Sequence, residues 1–154
     1  MRKWGEIELV QQIDDETCVA ACLAMVTGKT SKRVINELEE AGFKPPYNEI
    51  EYCPYLVRND ILPEIYQSAT TARFSWETVN LIIVASKNHI AKTHLIVVVY
   101  GKIDADCKVF DPQQGRENKD HYTTKEWKSS EIPWAKVIEL TDCSLPDLES
   151  EEQE

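Results

Sequence analysis

The sequence feature that most constrains the fold is a continuous apolar run at residues 95–100 (LIVVVY), directly after His94. No charged or amide side chain interrupts this run. A strand whose two faces are both apolar must be covered on both sides, so it belongs inside a sheet. We therefore predict an interior strand at 94–100, followed by a turn and a partner strand at 107–111.

The N-terminal part of the chain predicts helices. Residues 18–27 (CVAACLAMVT) form an Ala-rich apolar run that Gly28 ends, since glycine is the usual C-terminal stop of a helix. Thr30 or Ser31 then offers the hydroxyl side chain that caps a helix N-terminus. A second helix is therefore predicted at 32–41.

The remaining segments give weaker signals. Three prolines make 43–55 a predicted loop, 59–67 fits a short helix, and 76–86 fits either a helix or a strand. A short helix at 123–130 and a last strand at 136–140 complete the prediction. Helices followed by antiparallel strands indicate a two-layer α+β fold, in which the first helix packs on the sheet.

Length and charge limit the organisation of the chain. With 154 residues the chain can bury one hydrophobic core, and we expect a single domain at 1–141. Residues 142–154 carry six of the net ten negative charges and neither lysine nor arginine, so we expect an acidic, disordered tail. No basic stripe is present to neutralise phosphates, which disfavours nucleic acid as a partner.

Composition also bears on location. No apolar run reaches the roughly 18 residues of a membrane span, and the N-terminus lacks the apolar core of a secretory signal. Five scattered cysteines are an odd number, which is typical of reduced thiols rather than of a disulfide framework. We therefore expect a cytoplasmic protein with no membrane span.

Three residues from separate segments have the chemistry of a thiol hydrolase. Cys18 is the first residue of the first predicted helix, where unpaired N–H groups and the helix dipole favour a thiolate. His94 opens the interior strand, and Asp111 closes its partner strand. A nucleophile, a base and an orienting carboxylate are the three parts of a catalytic triad for acyl transfer.

The predicted hairpin supports a contact between His94 and Asp111. If the turn is centred between residues 103 and 104, position 96 faces position 111, and His94 lies diagonally from Asp111 within side-chain reach. Such a carboxylate would hold the imidazole Nδ1–H and fix its tautomer. Asp111 before Pro112 fits an ordinary turn equally well.

Each candidate also has a simpler interpretation. A free cysteine is most often a small core residue, which suits Cys22 inside the helix better than Cys18 at its end. The spacing of these two cysteines and the scattered histidines disfavour a metal site, and we assign no cofactor. His89 and His121 lie in turn-like or polar segments, so His94 is the preferred base.

The segments around these residues resemble those of a known family. The motifs that carry the resemblance are Gln12-x-Asp14-x-x-x-Cys18 with AACLAM at 20–25, His94 before an aliphatic strand and Gly101, and Asp111-Pro112-x-x-Gly115. They are similar to the motifs of the bacteriocin-processing peptidases, which are papain-like domains that cut double-glycine leaders at the N-terminus of peptide-exporting transporters. The resemblance covers about residues 8–140.

The resemblance implies a role for each residue. Cys18 would be the nucleophile, His94 the general base and acid, and Asp111 the residue that orients the imidazole. Gln12 would donate its amide N–H to the oxyanion, a role that the residue chemistry alone does not assign. The chain departs from the family at Val19, because the family usually has glycine directly after the cysteine.

The predicted function is that of a cysteine peptidase that cleaves a peptide or a protein tail through this triad. A glutamine deamidase or amidase would use the same triad, and nothing in the sequence separates it from a peptidase. A catalytically degenerate peptide- or protein-binding module is a third possibility. The intact set of three residues disfavours such a module, which has no need of all of them.

Overall fold

The computed structural model describes residues 1–14, 16–66, 75–85, 93–113, 120–128 and 134–144. The helices are α1 (Cys18–Thr27), α2 (Ser31–Glu40), α3 (Glu49–Arg58) and α4 (Thr124–Lys128), and the strands are β1 (Ile61–Tyr66), β2 (Thr78–Ala85), β3 (Thr93–Tyr100), β4 (Lys108–Phe110) and β5 (Trp134–Asp142). The strands form one antiparallel sheet in the order β1-β5-β2-β3-β4. The predicted α+β class is confirmed.

The interior position predicted for β3 is confirmed, and its alternating side chains explain why both faces are apolar. Leu95, Val97 and Val99 point into the main core beneath α1, α2 and α3. Ile96 and Val98 point into a second core on the opposite face, where Trp127 of α4 packs. The helix α4 thus covers a face that a two-layer arrangement would leave open.

Helices α1 and α2 form where the sequence predicts them. Residues 19–26 of α1 are all buried, so this helix is surrounded by protein on every side. Gly28 ends it with a φ of +80° and donates its N–H to the Ala24 carbonyl at 3.0 Å. The Thr30 hydroxyl accepts the Arg33 N–H at 3.1 Å, which identifies Thr30 as the cap of α2.

The loop predicted at 43–55 is wrong, because α3 begins within it and continues through Pro54. Asn48 and Glu51 form a reciprocal capping box that fixes the start of the helix. Tyr52, Tyr55 and Leu56, which are spaced along one side of α3, are buried. Burial of these side chains outweighs the one backbone hydrogen bond that the proline removes.

The helix predicted at 59–67 is also wrong, since residues 61–66 form β1. Its partner is β5, with Ile61 opposite Asp142 and Tyr66 opposite Val137. Pro63 is tolerated because β1 lies at the edge of the sheet, where one side of the strand donates no ladder hydrogen bonds. Within the ambiguous segment 76–86, residues 78–85 form β2, which lies between β5 and β3.

The register predicted for β3 and β4 is confirmed. Val97 faces Phe110 and Val99 faces Lys108, which puts position 111 opposite position 96.

Strand β5 extends beyond the predicted 136–140 to Asp142, and the Cys143 N–H then bonds to the Asp60 carbonyl at 2.7 Å. Residues 145–154 lie outside the described residues, so the disordered tail stays a prediction. None of the described helices is long and apolar enough to span a membrane.

Candidate active site

Three elements bring Cys18, His94 and Asp111 together. Cys18 is the first residue of α1, His94 is the second residue of β3, and Asp111 directly follows β4. Helix α1 packs against β3, and β4 pairs with β3, so β3 lies between the other two elements. His94 and Asp111 are buried, whereas Cys18 is half-buried.

His94 and Asp111 form a buried ion pair. The His94 Nε2 atom lies 2.6 Å from the Asp111 Oδ1 atom, and Oδ1 also accepts the Gln113 N–H at 2.9 Å. The predicted contact is therefore present, but the predicted ring nitrogen, Nδ1, is wrong. Nε2 is the distal nitrogen of the ring and is the one that reaches diagonally to the neighbouring strand. This arrangement leaves Nδ1 for the thiol of Cys18.

The surroundings of Cys18 favour its thiolate. Burial raises the pKa of the thiol, but the hydrogen bond with His94 and the backbone N–H groups of Leu95 and Val19 lower it, as does the positive charge on His94. The net result is a pKa below the ordinary value for cysteine. Thr17 places no side-chain cap on α1, so the N–H groups of the first turn are left to stabilise negative charge.

The surroundings of His94 favour its protonated form. Burial lowers the pKa of the imidazole, but the hydrogen bonds to Asp111 and Cys18 and the negative charges of both raise it to about 9. The lowered pKa of Cys18 and the raised pKa of His94 have the same physical origin, because each charge stabilises the other. Both shifts therefore favour a thiolate beside an imidazolium over a neutral thiol beside a neutral imidazole.

The segment from Gln12 to Thr17 leads into α1. The Gln12 backbone N–H bonds to the Pro112 carbonyl at 2.8 Å, which brings this segment next to Asp111. The Gln12 side chain donates from Nε2 to the Asp14 carbonyl at 2.8 Å, and its buried Oε1 has no hydrogen-bond partner among the described residues. The structure thus places the Gln12 backbone against Pro112, the residue after Asp111, with the side-chain amide bonded to its own loop.

Thr17 is a residue that the sequence analysis missed. Its buried hydroxyl accepts the N–H groups of Ile13 and Asp14 at 3.1 and 3.2 Å and lies 3.3 Å from the Asp14 carbonyl. These bonds hold the loop before α1 in place. A threonine at the N-cap position directly before the candidate nucleophile was the available signal.

The other cysteines and histidines occupy different settings. Cys22 is fully buried and donates its thiol to the Leu95 carbonyl at 3.3 Å, and burial raises its pKa well above the ordinary value. His121 bonds to the adjacent Asp120 at 2.7 Å in a more exposed position. His89 lies outside the described residues. In the described ranges no cluster of three or more His, Cys, Asp or Glu residues could hold a metal ion.

A cleft of about 240 Å³ opens over Cys18 and His94. Val19 and Leu95 line it next to these two residues, and Ile83 of β2 contributes an apolar side chain. The segment before α3 and the first turn of that helix also line the cleft, with Pro46, Tyr47, Asn48, Glu49 and Tyr52. The cleft gives a bound peptide access to the thiol.

The fold is similar to that of solved peptidase domains. A double glycine motif protease from an AMS/PCAT transporter, solved in complex with the leader peptide, matches at 13% identity and a TM-score of 0.61, over 88% of this chain and 91% of that chain. The peptidase domain of Streptococcus ComA, a bi-functional ABC transporter involved in a quorum sensing pathway, matches at 18% identity and a TM-score of 0.51, over 88% and 98%.

These similarities extend over most of all three chains and establish a papain-like α+β fold. The resemblance to bacteriocin-processing peptidases in the sequence is confirmed at the level of the fold. Neither a protein-family model nor a curated protein sequence matches the chain.

Proposed function

We propose that this chain is a cysteine peptidase that cleaves a peptide bond in a peptide or a protein tail. The observation that carries the proposal is the buried His94–Asp111 contact of 2.6 Å beside a thiol whose pKa is lowered. An arrangement of this kind supplies an activated nucleophile and a proton donor in one site. The open cleft above it supplies room for the substrate.

In the proposed reaction the Cys18 thiolate attacks the scissile carbonyl carbon, and the carbonyl π electrons move to its oxygen. The His94 imidazolium then donates its proton to the amine as the C–N bond breaks, which leaves an acyl-enzyme thioester. His94, now neutral, removes a proton from water, and the hydroxide attacks the thioester. Cys18 leaves as the thiolate and the second product is a carboxylic acid.

The negative charge on the carbonyl oxygen would be stabilised by N–H donors at the start of α1. We assign the Cys18 backbone N–H and the Gln12 amide to this task. The Gln12 Nε2 atom carries two hydrogens, and only one is needed for its bond to the Asp14 carbonyl. One donor of this kind contributes about 2.7–4 kcal/mol to transition-state stabilisation.

The leader peptide bound to the AMS/PCAT protease supports a peptide as the substrate class. We place the activity in the cytoplasm, a compartment that suits five free cysteines. Val19 lines the cleft beside Cys18, and double-glycine specificity is therefore not part of the proposal.

The test measures which thiol reacts first. Native protein is treated with iodoacetamide at pH 7, and tryptic peptides are quantified by mass spectrometry over time. Cys18 should react faster than Cys143, an exposed thiol that serves as the internal reference. Equal rates at the two positions would contradict the proposal.

A second measurement identifies the reaction. Mixed peptides are incubated with wild-type protein and with Cys18→Ala, and Cys143→Ala is the matched control. New peptide termini that require Cys18 support a peptidase, whereas ammonia release without new termini would indicate an amidase or deamidase. A folded Cys18→Ala variant that keeps the biological effect would instead favour a binding module.

A further inference from the structure

The charges around the cleft are unevenly distributed. Glu16 and Glu49 both line it, and no lysine or arginine is present among the described residues that do so. Glu49 is already paired, because the Lys136 Nζ atom lies 2.8 Å from its Oε1 atom. The positive charge of His94 is matched by Cys18 and Asp111.

Glu16 is therefore the unmatched charge of the cleft. Its side chain makes no hydrogen bond or ion pair within the part of the chain that the structure describes, and the residue is exposed. Asp14, whose Oδ1 accepts the Glu16 N–H at 2.9 Å, adds a second negative charge nearby. A ligand with a positive group would neutralise charge here, whereas an acidic ligand would be repelled.

Tyr47 provides a separate indication of a ligand site in the cleft. The residue lines the cleft with only 6% of its surface exposed, and its buried hydroxyl has no hydrogen-bond partner among the described residues. Leaving such a buried group unpaired is unfavourable, and a ligand that bonds to it removes this cost. Burial and the negative charges of Glu39, Asp14 and Glu51 raise the pKa of Tyr47, so the hydroxyl stays neutral in a field that attracts cations.

On the basis of the peptidase activity proposed above, we propose that the cleft recognises a peptide with an arginine or lysine side chain within two residues of the scissile carbonyl. The Glu16 carboxylate would pair with the cationic group, and the Tyr47 hydroxyl would accept one of its N–H bonds. The substrate class is thus a basic peptide segment. Glu49, already neutralised by Lys136, would form the wall against which the side chain lies.

The test uses peptide-based electrophiles that label a catalytic thiol. Two series are prepared, Ac-Gly-X-vinyl sulfone and Ac-X-Gly-vinyl sulfone, with X as arginine, its neutral analogue citrulline, or glutamate. The second-order rate of Cys18 labelling is measured by intact mass. In one series or the other, the arginine probe should react about three- to tenfold faster than the citrulline probe, the range expected for one or two exposed ion pairs.

Variants then locate the effect. Glu16→Gln should reduce the arginine advantage to nearly one, Tyr47→Phe should reduce it in part, and 0.5 M salt should weaken it in the wild type. Glu77→Gln is the control, because it removes one exposed carboxylate, 3.9 Å from Lys102, directly before β2 and roughly 20 Å from Ile83 at 3.3 Å per residue. The Glu77→Gln variant should keep the wild-type ratio of labelling rates between the arginine and citrulline probes.

Different results would overturn different statements. Equal labelling of Cys18 by arginine and citrulline probes in both series would refute the basic specificity and leave the peptidase intact. An arginine advantage that survives both Glu16→Gln and Tyr47→Phe would refute the assigned residues. If no peptide probe labels Cys18 faster than Cys143, the proposed function itself fails.

Discussion

Two groups of paired charges lie at opposite ends of helix α1, about 15 Å apart for its ten residues. At the N-terminus Cys18 interacts with His94 and Asp111. Beyond the C-terminus the Lys29 Nζ atom contacts the Glu37 carboxylate at 2.9 Å and the Asn59 Oδ1 atom at 2.6 Å.

The two ends differ in what remains unsatisfied. Near the C-terminus the Gly28 N–H donates to the Ala24 carbonyl and the Arg2 N–H to the Val26 carbonyl, and Glu37 also accepts from Arg33. At the N-terminus no side chain caps the helix, and a cleft opens over Cys18. The N-terminal charge group can react because it leaves a nucleophile and unpaired N–H donors facing a cavity. The C-terminal charge group stabilises the fold because its charged side chains are paired with one another.

The largest effect should come from breaking the N-terminal group. Cys18→Ala and His94→Ala should each abolish turnover, because the members of a triad act as a unit and loss of either removes the covalent route. Peptide cleavage assays measure this, with circular dichroism to show that each variant is folded. Substantial cleavage by folded Cys18→Ala would contradict the assignment.

Asp111→Asn should leave weak activity, lower by roughly 10³, because a thiolate needs less help from the orienting residue than a serine does.

Asp111→Asn should also change the pH dependence of kcat/KM. The active pair requires a protonated His94, so kcat/KM should fall as pH rises through its pKa of about 9. Since Asp111 raises that pKa, Asp111→Asn should move the alkaline limb to lower pH, and an unchanged limb would contradict this role.

Gln12→Ala should lower kcat by roughly 10²–10³ with KM nearly unchanged, since the proposed contact forms only in the transition state. Gln11→Ala is the matched control, because Gln11 is the adjacent glutamine and its side chain is exposed. Steady-state kinetics on a single peptide substrate give kcat and KM for both variants. A rise in KM alone would assign Gln12 to ordinary binding.

Lys29→Met tests the opposite end of α1 and should leave kcat/KM unchanged. We expect the free energy of unfolding at pH 7 to fall by about 1 kcal/mol, because the substitution leaves Glu37 without its main partner. The hydrogen bond to Lys29 lowers the pKa of Glu37, so this contribution exists above its ordinary pKa and is lost as pH falls. Urea titrations of wild type and Lys29→Met at pH 7 and pH 3 measure the loss of unfolding free energy at each pH. An equal loss at pH 7 and pH 3 would contradict the role of the Lys29–Glu37 pair.

The smallest effect concerns a pair of like charges. Glu64 faces Glu139 across β1 and β5, and burial together with Glu64 raises the pKa of Glu139. Glu64→Gln should therefore increase the free energy of unfolding at pH 7 by about 0.2–1 kcal/mol. The gain should vanish at low pH, where both carboxyls are protonated. Thermal unfolding at the two pH values measures the gain. Glu8→Gln is the control, since Glu8 is exposed and its carboxylate lies near a positive charge, 3.9 Å from Arg2, rather than a negative one.

The sequence by itself determined the parts of the fold that rest on local patterns. The run at 95–100 predicted an interior strand, Gly28 predicted the end of α1, Thr30 or Ser31 predicted the start of α2, and the predicted turn after β3 gave the register that brings Asp111 to His94. Each of these signals lies within one segment or one hairpin. Short-range sterics and hydrogen bonding were therefore sufficient to predict them.

Only the tertiary structure decided the rest. The segment at 61–66 became a strand because β5, far along the chain, pairs with it, and α3 formed through Pro54 because its aromatic side chains are buried. The choice of Nε2 on His94 likewise depends on the direction from which Asp111 approaches. These outcomes follow from contacts between residues distant in sequence, whose free energies exceed the local preferences that the sequence displays.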